Sequence, residues 1–141
     1  PDEVDVVNVG AVDRRRGTTW LVAEAKRIQD KHRCAVVIDE KCPDASLPGD
    51  LKEAGVSVTI AKLDDCIEAC SDLVNRVKDE KVTHQNTQEL NDAISAAAWR
   101  MVGDRKLWGR KQSPADISML EAVTLAAWKA SAVYDPLLSV Y

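Results

Sequence analysis

The sequence predicts an α/β fold, with helices covering a mixed sheet as a three-layer sandwich. Three observations carry that expectation. Cys34-Ala35-Val36-Val37-Ile38 is a short, continuous, β-branched apolar run of the kind that forms a parallel strand covered on both faces. Val56, Val58 and Ile60 alternate with smaller or polar residues, as a second strand does. Around these runs apolar residues recur every three or four positions, the spacing of helices that bury one face.

Taken in order, Val4, Val6 and Val9 predict a strand over residues 4–9, ended by Gly10. After the arginine run 14–16, Gly17, Thr18 and Thr19 signal a helix start, and Leu21, Ala25 and Ile28 give it a stripe running to about Lys31, widened by Trp20 and Val22. The strand 34–38 follows. Ser46 is placed to cap a short helix carrying Leu47 and Leu51, and Gly55 to stop it, so that strand, helix and strand 56–60 form a right-handed βαβ unit. A longer helix from about Asp64 to Lys78 begins with the capping-box pattern Asp65-x-x-Glu68 and carries Ile67, Cys70, Val74 and Val77. Val82 and Thr83 form a brief strand. Asn86-x-x-Glu89 opens a helix with Leu90, Ile94, Ala97 and Met101 at helical spacing. Residues 103–112 read as a basic loop or hairpin. Ser113-Pro114 then starts the last helix, with Ile117, Leu120, Thr124 and Ala127 facing inward to about Ala130, and Pro136 fixes an extended tail.

The 141 residues, 45% hydrophobic and 30% charged, fit a single globular domain over 1–141. No apolar run approaches the roughly 18 residues that span a bilayer, and the opening residues lack a signal-peptide pattern, so a cytosolic chain is expected. A net charge of −4 excludes a broad basic coat for DNA. Nucleic-acid contact would have to use local patches: Arg14, Arg15 and Arg16, or Arg105, Lys106, Arg110 and Lys111 around Trp108. Taken alone, each patch reads first as a solvated charged loop. Trp108 either stacks on a base or packs beneath its loop, and packing is the expectation. Cys34, Cys42, Cys66 and Cys70 lack the paired spacing of a zinc site and read as buried thiols, while His32 and His84 read as surface residues.

Chemistry is expected beyond the carboxyl ends of parallel strands, where Asp39 and Glu40 follow the most apolar strand. A desolvated carboxylate there needs water, a cation or a basic partner such as Lys41. The alternative is a turn-capping Asp. Asp116, three residues after Ser113, either caps the last helix or projects into a cleft at a strand end. Two or three such carboxylates can hold a pair of hard cations about 3.5–4 Å apart, which clamp the attacking and leaving oxygens of a phosphodiester.

The series Gly17-Thr18-Thr19-Trp20-Leu21-Val22, Ala35-Val36-Val37-Ile38-Asp39, Leu51-x-x-Ala54-Gly55-Val56, the Trp108 segment, Ala115-Asp116-Ile117-Ser118-x-Leu120 and Ala122-Val123-Thr124-Leu125-Ala126-Ala127-Trp128 resembles the nuclease domain of phage terminase large subunits. The likeness is greatest to those of actinobacterial phages. It implies a ribonuclease H-like fold and an endonuclease dependent on Mg2+ or Mn2+ that cuts concatemeric double-stranded DNA during genome packaging in the cytoplasm of a bacterial host. Asp39 and Asp116 match two of the family's catalytic, metal-binding carboxylates. The resemblance also implies a terminase ATPase domain, a small terminase subunit and a portal as partners. A further metal-binding Asp of the family stands on a first strand upstream of the strand that residues 4–9 resemble. Asp2, Asp5 and Asp13 do not stand in that pattern, so the fold expected is the ribonuclease H-like sandwich without its first two strands. No GxxxxGK[ST] phosphate loop occurs in the chain, so the motor ATPase is not among these residues.

Two other readings follow from the same residues. One is a catalytically incomplete ribonuclease H-like module that binds DNA or packaging-motor partners. The other is a doubly wound domain that binds a small molecule, although no glycine fingerprint accompanies its βαβ unit.

Overall fold

A computed structural model of the chain describes residues 6–10, 19–42 and 44–133. The architecture is α/β: β1 (Val7–Val9), α1 (Thr19–His32), β2 (Val36–Asp39), α2 (Leu47–Glu53), β3 (Val58–Ala61), α3 (Leu63–Lys78), β4 (Val82–His84), α4 (Gln88–Ala96), β5 (Ala98–Val102), β6 (Arg105–Gly109) and α5 (Ser118–Val133). Among the described residues the strands form three hydrogen-bonded pairs: β1 with β4 and β2 with β3, both parallel, and β5 with β6, antiparallel. The chain divides into two compact units, Pro1–Ala11 with Asp64–Tyr141, and Val12–Leu63. The arginine run 14–16, the acidic residues Asp2, Asp5 and Asp13, and the tail at Pro136 lie outside the described residues.

The Val12–Leu63 unit is the expected βαβ arrangement with a helix before it. Leu47, Leu51 and Val56 are its buried centre, and Leu21, Val22 and Ala25 of α1 pack on them with Val36, Ile38 and Val58. The stop of α2 is a Schellman turn. Gly55 takes φ +85°, its N–H reaches the Lys52 carbonyl at 3.0 Å, and the Val56 N–H reaches the Leu51 carbonyl at 2.9 Å. Leu51 and Val56 are both buried, which supplies the apolar contact that accompanies this turn. The start differs from expectation. Ser46 makes no side-chain cap, and Asp44 instead accepts the Ser46 N–H and hydroxyl at 3.0 and 2.6 Å. Every residue of β2 is half-buried rather than covered on both faces, and among the described residues its ladder partner is β3. Of the alternating run, Val56 is buried and Ile60 is exposed, and Ala61 is fully buried. Gln29 ties α1 to the loops that enter the strands: its amide donates to the Cys34 and Ser57 carbonyls and accepts the Ser57 N–H at 2.8 Å.

In the other unit, Leu73, Ala93, Leu120 and Ala127 form the buried centre, covered by Val7, Val9, Val82, Ala97, Trp108 and Met119. Helix α5 packs on β1 and α4, and its stripe Ile117, Leu120, Thr124 and Ala127 is buried as its spacing predicts. Helix α3 buries Ile67, Ala69, Cys70 and Leu73, while Val77 near its end stands 59% exposed. Its first turn already includes Asp64 and Asp65, so Asp65 lies inside the helix rather than at its cap.

The largest departure lies at 86–102. Leu90, Ile94, Ala97 and Met101 have helical spacing, yet the helix covers only Gln88–Ala96, and Ala97 turns to φ −66°, ψ 133°. Residues 98–102 become a strand, with Ile94 and Met101 left exposed. Cross-strand pairing decides this: Trp99 stands opposite Trp108 in β6, and the two rings stack with centroids 4.3 Å apart. An aromatic pair of this kind is worth ~0.5–1.5 kcal/mol beyond its buried area, which outweighs the few tenths of helix propensity that continuing the helix through Ala98 and Trp99 would offer. Gly103 and Asp104 form the two-residue turn, with Gly103 at φ +64° in the first central position, the requirement of a type II′ hairpin.

Candidate functional site

Asp39 is the last residue of β2, the carboxyl end of the parallel pair, in register with Ala61. The ladder continues one bond further, from the Glu40 N–H to the Ala61 carbonyl at 2.8 Å, so the backbone of Asp39 is held beside the end of β3. The chain then turns sharply: the Cys42 N–H reaches the Asp39 carbonyl at 3.0 Å, and Asp39 Oδ1 accepts the Lys41 N–H at 2.9 Å. The half-buried Asp39 thus stands where α/β folds gather functional groups and also fastens its own turn.

Asp116 lies in the other unit and is exposed. Its Oδ1 accepts the Ser118 N–H at 2.8 Å, and the Ile117 carbonyl accepts the Glu121 N–H at 3.0 Å, so Asp116 precedes the cap residue Ile117 of α5. The expected capping box with Ser113 does not form. Ser113 instead closes the hairpin: its hydroxyl donates to the Gly109 carbonyl at 2.6 Å and accepts the Ala98 N–H at 3.0 Å. The helix therefore begins at Ser118, and Pro114 is not its first residue. Serine at that position satisfies strand-end groups that would otherwise lack partners, which is why the Ser-Pro signal misleads.

Arg105 and Lys106 are on β6, and Arg110 and Lys111 follow it, in the same unit as Asp116. Arg105 forms an ion pair with Asp64 of α3 at 3.0 Å, and Arg110 one with Glu121 of α5 at 2.6 Å. The Lys106 ammonium sits 4.4 Å from the centroid of the Trp99 ring. Beneath it Trp108 packs as expected, and its indole N–H donates to Thr124 Oγ1 at 2.9 Å. Thr124 in turn donates to the Leu120 carbonyl at 2.6 Å. Between α3, the hairpin and α5 lies a cleft of about 710 Å³, lined by Ile67 and Trp128 with Asp64, Glu68, Asp72 and Arg105. The sequence did carry a signal for it, since Asp64, Glu68 and Asp72 repeat every four residues on one helix face.

Cys70 is buried beside this hairpin. Burial pushes its thiol from an ordinary 9.0 up to about 11; a hydrogen bond from the Trp108 backbone opposes the rise, and the Glu121 carboxylate adds to it. Of the four cysteines, only Cys70 is buried, while Cys34 is exposed and Cys42 and Cys66 are half-buried. His32 ends α1 on the surface, and His84 accepts the Asn86 N–H through Nδ1 at 3.0 Å.

Carboxylate oxygens are the donors that Mg2+ and Mn2+ prefer, so the chemistry of Asp39 and Asp116 fits such ions. Among the described residues no three His, Cys, Asp or Glu side chains gather as a ready ligand set. None of the described helices is long and apolar enough to cross a membrane. The chain matches no protein-family model, no curated protein and no solved structure.

Proposed function

We propose that the chain is a metal-dependent DNA endonuclease domain of the phage terminase kind, with a ribonuclease H-like organisation, that cuts concatemeric double-stranded DNA during packaging. The observation that carries this reading is the place of Asp39, a half-buried carboxylate at the carboxyl end of a parallel strand pair. The basic hairpin supports it as a surface for an anionic backbone. Asp39 and Asp116 are the residues assigned to hold Mg2+ or Mn2+. Such a cation supplies charge stabilisation at phosphodiester oxygens and lowers the pKa of an attacking water. The backbone N–H groups of Lys41 and Ser118 hold the two carboxylates in fixed orientations, which suits metal ligands that must not reorganise on binding. The partners of this reading are a terminase ATPase domain, a small terminase subunit and a portal, in the cytoplasm of a bacterial host.

The test is nicking of supercoiled plasmid by the full-length protein with Mn2+. Changing an outer-shell partner of a metal site costs ~10–100-fold, so Asp39→Asn and Asp116→Asn, which remove a ligand outright, are each expected to lower cleavage by about 100-fold or more. Cleavage unchanged in both variants rejects the assignment.

A second reading is a module of the same kind that binds DNA or packaging proteins without cutting. It is favoured by the turn-fastening bonds of both aspartates, which give each a structural role that needs no metal. DNA binding that weakens with salt, without cleavage in Mn2+, selects this reading over the first.

A further inference from the structure

The four basic residues around the hairpin divide into two groups. The register places Trp99, Met101, Lys106 and Trp108 on one face of the β5–β6 hairpin and Arg100, Val102, Arg105 and Leu107 on the other. On the second face Leu107 is buried, and the exposed Arg105 is paired with Asp64. The first face is anchored at its base, where Trp108 packs on the buried centre and bonds Thr124. Toward the tip, Met101 is 60% exposed and Lys106 is exposed above the Trp99 ring. Beyond the strand, Arg110 is bound to Glu121, whereas Lys111 is exposed. Among the described residues neither Lys106 nor Lys111 is in an ion pair.

We infer that Lys106 and Lys111 are the phosphate-contacting residues of this hairpin, and that Arg105 and Arg110 brace it against α3 and α5 without contacting DNA. The occupant is committed by charge. The face with Lys106 carries no carboxylate among its strand residues Trp99, Met101, Lys106 and Trp108, and a polyanionic backbone complements its exposed cation. The stacked pair holds the lysine in place: its ammonium sits over the Trp99 ring, so less side-chain freedom is lost when a phosphate is engaged. Arg105 and Arg110 each spend a guanidinium nitrogen on a helix carboxylate that also offsets their charge, so their pull on a phosphate is weaker than that of a lysine outside any ion pair. The inference rests on the DNA-binding reading above and assigns which residues of that surface meet the strand.

The experiment is fluorescence anisotropy of a labelled duplex titrated with the full-length protein at several salt concentrations. Each phosphate contact contributes about 0.9 to the slope of log Kobs against log salt. Lys106→Gln and Lys111→Gln are each expected to lower the slope by about 0.9. Arg105→Gln and Arg110→Gln are expected to keep the slope and lower the melting temperature. Lys106→Arg keeps the charge and restores the slope, which separates a lost phosphate contact from a damaged hairpin. If the wild-type protein binds duplex with an ordinary salt slope and Lys106→Gln leaves that slope unchanged, the inference fails while the DNA-binding reading stands. An equal loss of slope in the arginine variants also overturns it. A wild-type protein that binds no duplex refutes both.

Discussion

Thr124 and Trp108 give the sharpest test of how this molecule is held together. Thr124 is 2% exposed, and its hydroxyl accepts the Trp108 indole N–H at 2.9 Å while donating to the Leu120 carbonyl at 2.6 Å. Thr124→Val keeps the shape and removes both bonds. The Leu120 carbonyl retains its place in the α5 ladder, so its loss matters little. The indole N–H loses the acceptor it uses in the folded protein. A stranded buried donor costs ~1–3 kcal/mol, and because Trp108 is half-buried the lower part applies, about 1–2 kcal/mol. Urea denaturation followed by far-UV circular dichroism measures this as a lower midpoint at constant slope. Trp108→Phe removes the donor instead, so Thr124→Val is expected to cost little when made in that background, a coupling of ~1 kcal/mol between the two sites. Near-UV circular dichroism should lose intensity in Thr124→Val as the Trp99–Trp108 stack loosens. A Thr124→Val protein within ~0.3 kcal/mol of wild type, or a pair of substitutions that simply add, refutes the argument.

Two further outcomes follow from local geometry. Gly55→Ala places a side chain at φ +85°, where the left-handed strain of ~1–2 kcal/mol exceeds the entropy gained from a stiffer unfolded chain, so the urea midpoint falls by the equivalent of about 1 kcal/mol. Gly55→Asn, which tolerates this conformation better, loses less. Cys70 sets an alkaline limit. Its thiol keeps its proton up to about 11 in the folded protein and to an ordinary 9.0 when unfolded. Between those values the folded state binds more protons, so its contribution is full below pH 9 and is lost as pH rises toward 11. Cys70→Ala flattens that stretch of the stability profile in pH-stepped denaturation. An unchanged slope shows that the thiol does not titrate as the burial argument requires.

The elements that were legible in the sequence are those whose signals are local and redundant. Helix α1, the parallel pair β2–β3 and the inward stripe of α5 follow the spacing of their apolar residues, and Gly55 ends α2 as its type demands. What was illegible was decided by partners distant in sequence. The spacing of Leu90, Ile94, Ala97 and Met101 is helical, and only the arrival of Trp108 opposite Trp99 turns residues 98–102 into a strand. Ser113 reads as a helix start because the Gly109 carbonyl and Ala98 N–H that claim its hydroxyl become neighbours only after the hairpin has formed. For the candidate site, the position of Asp39 was readable from the strand before it. The division of the basic residues was not, since Asp64 and Glu121 lie on helices 41 and 11 residues away from the arginines they hold.

The pairing of β1 with β4 has a consequence for the order in which the molecule assembles. Asn8 and Thr83 face each other in that ladder, 75 residues apart, and the whole Val12–Leu63 unit lies in the intervening chain. A ladder of three residues on each strand gains little by itself, while closing so long a loop of disordered chain is an entropic burden that falls on the earliest moments of folding. The intervening unit has its own apolar centre and its own short-range contacts, so it can condense first and shorten the span that β1 must bridge. Strand β1 is then expected to join late, and the rate at which it pairs with β4 is expected to fall when the enclosed Val12–Leu63 unit is destabilised.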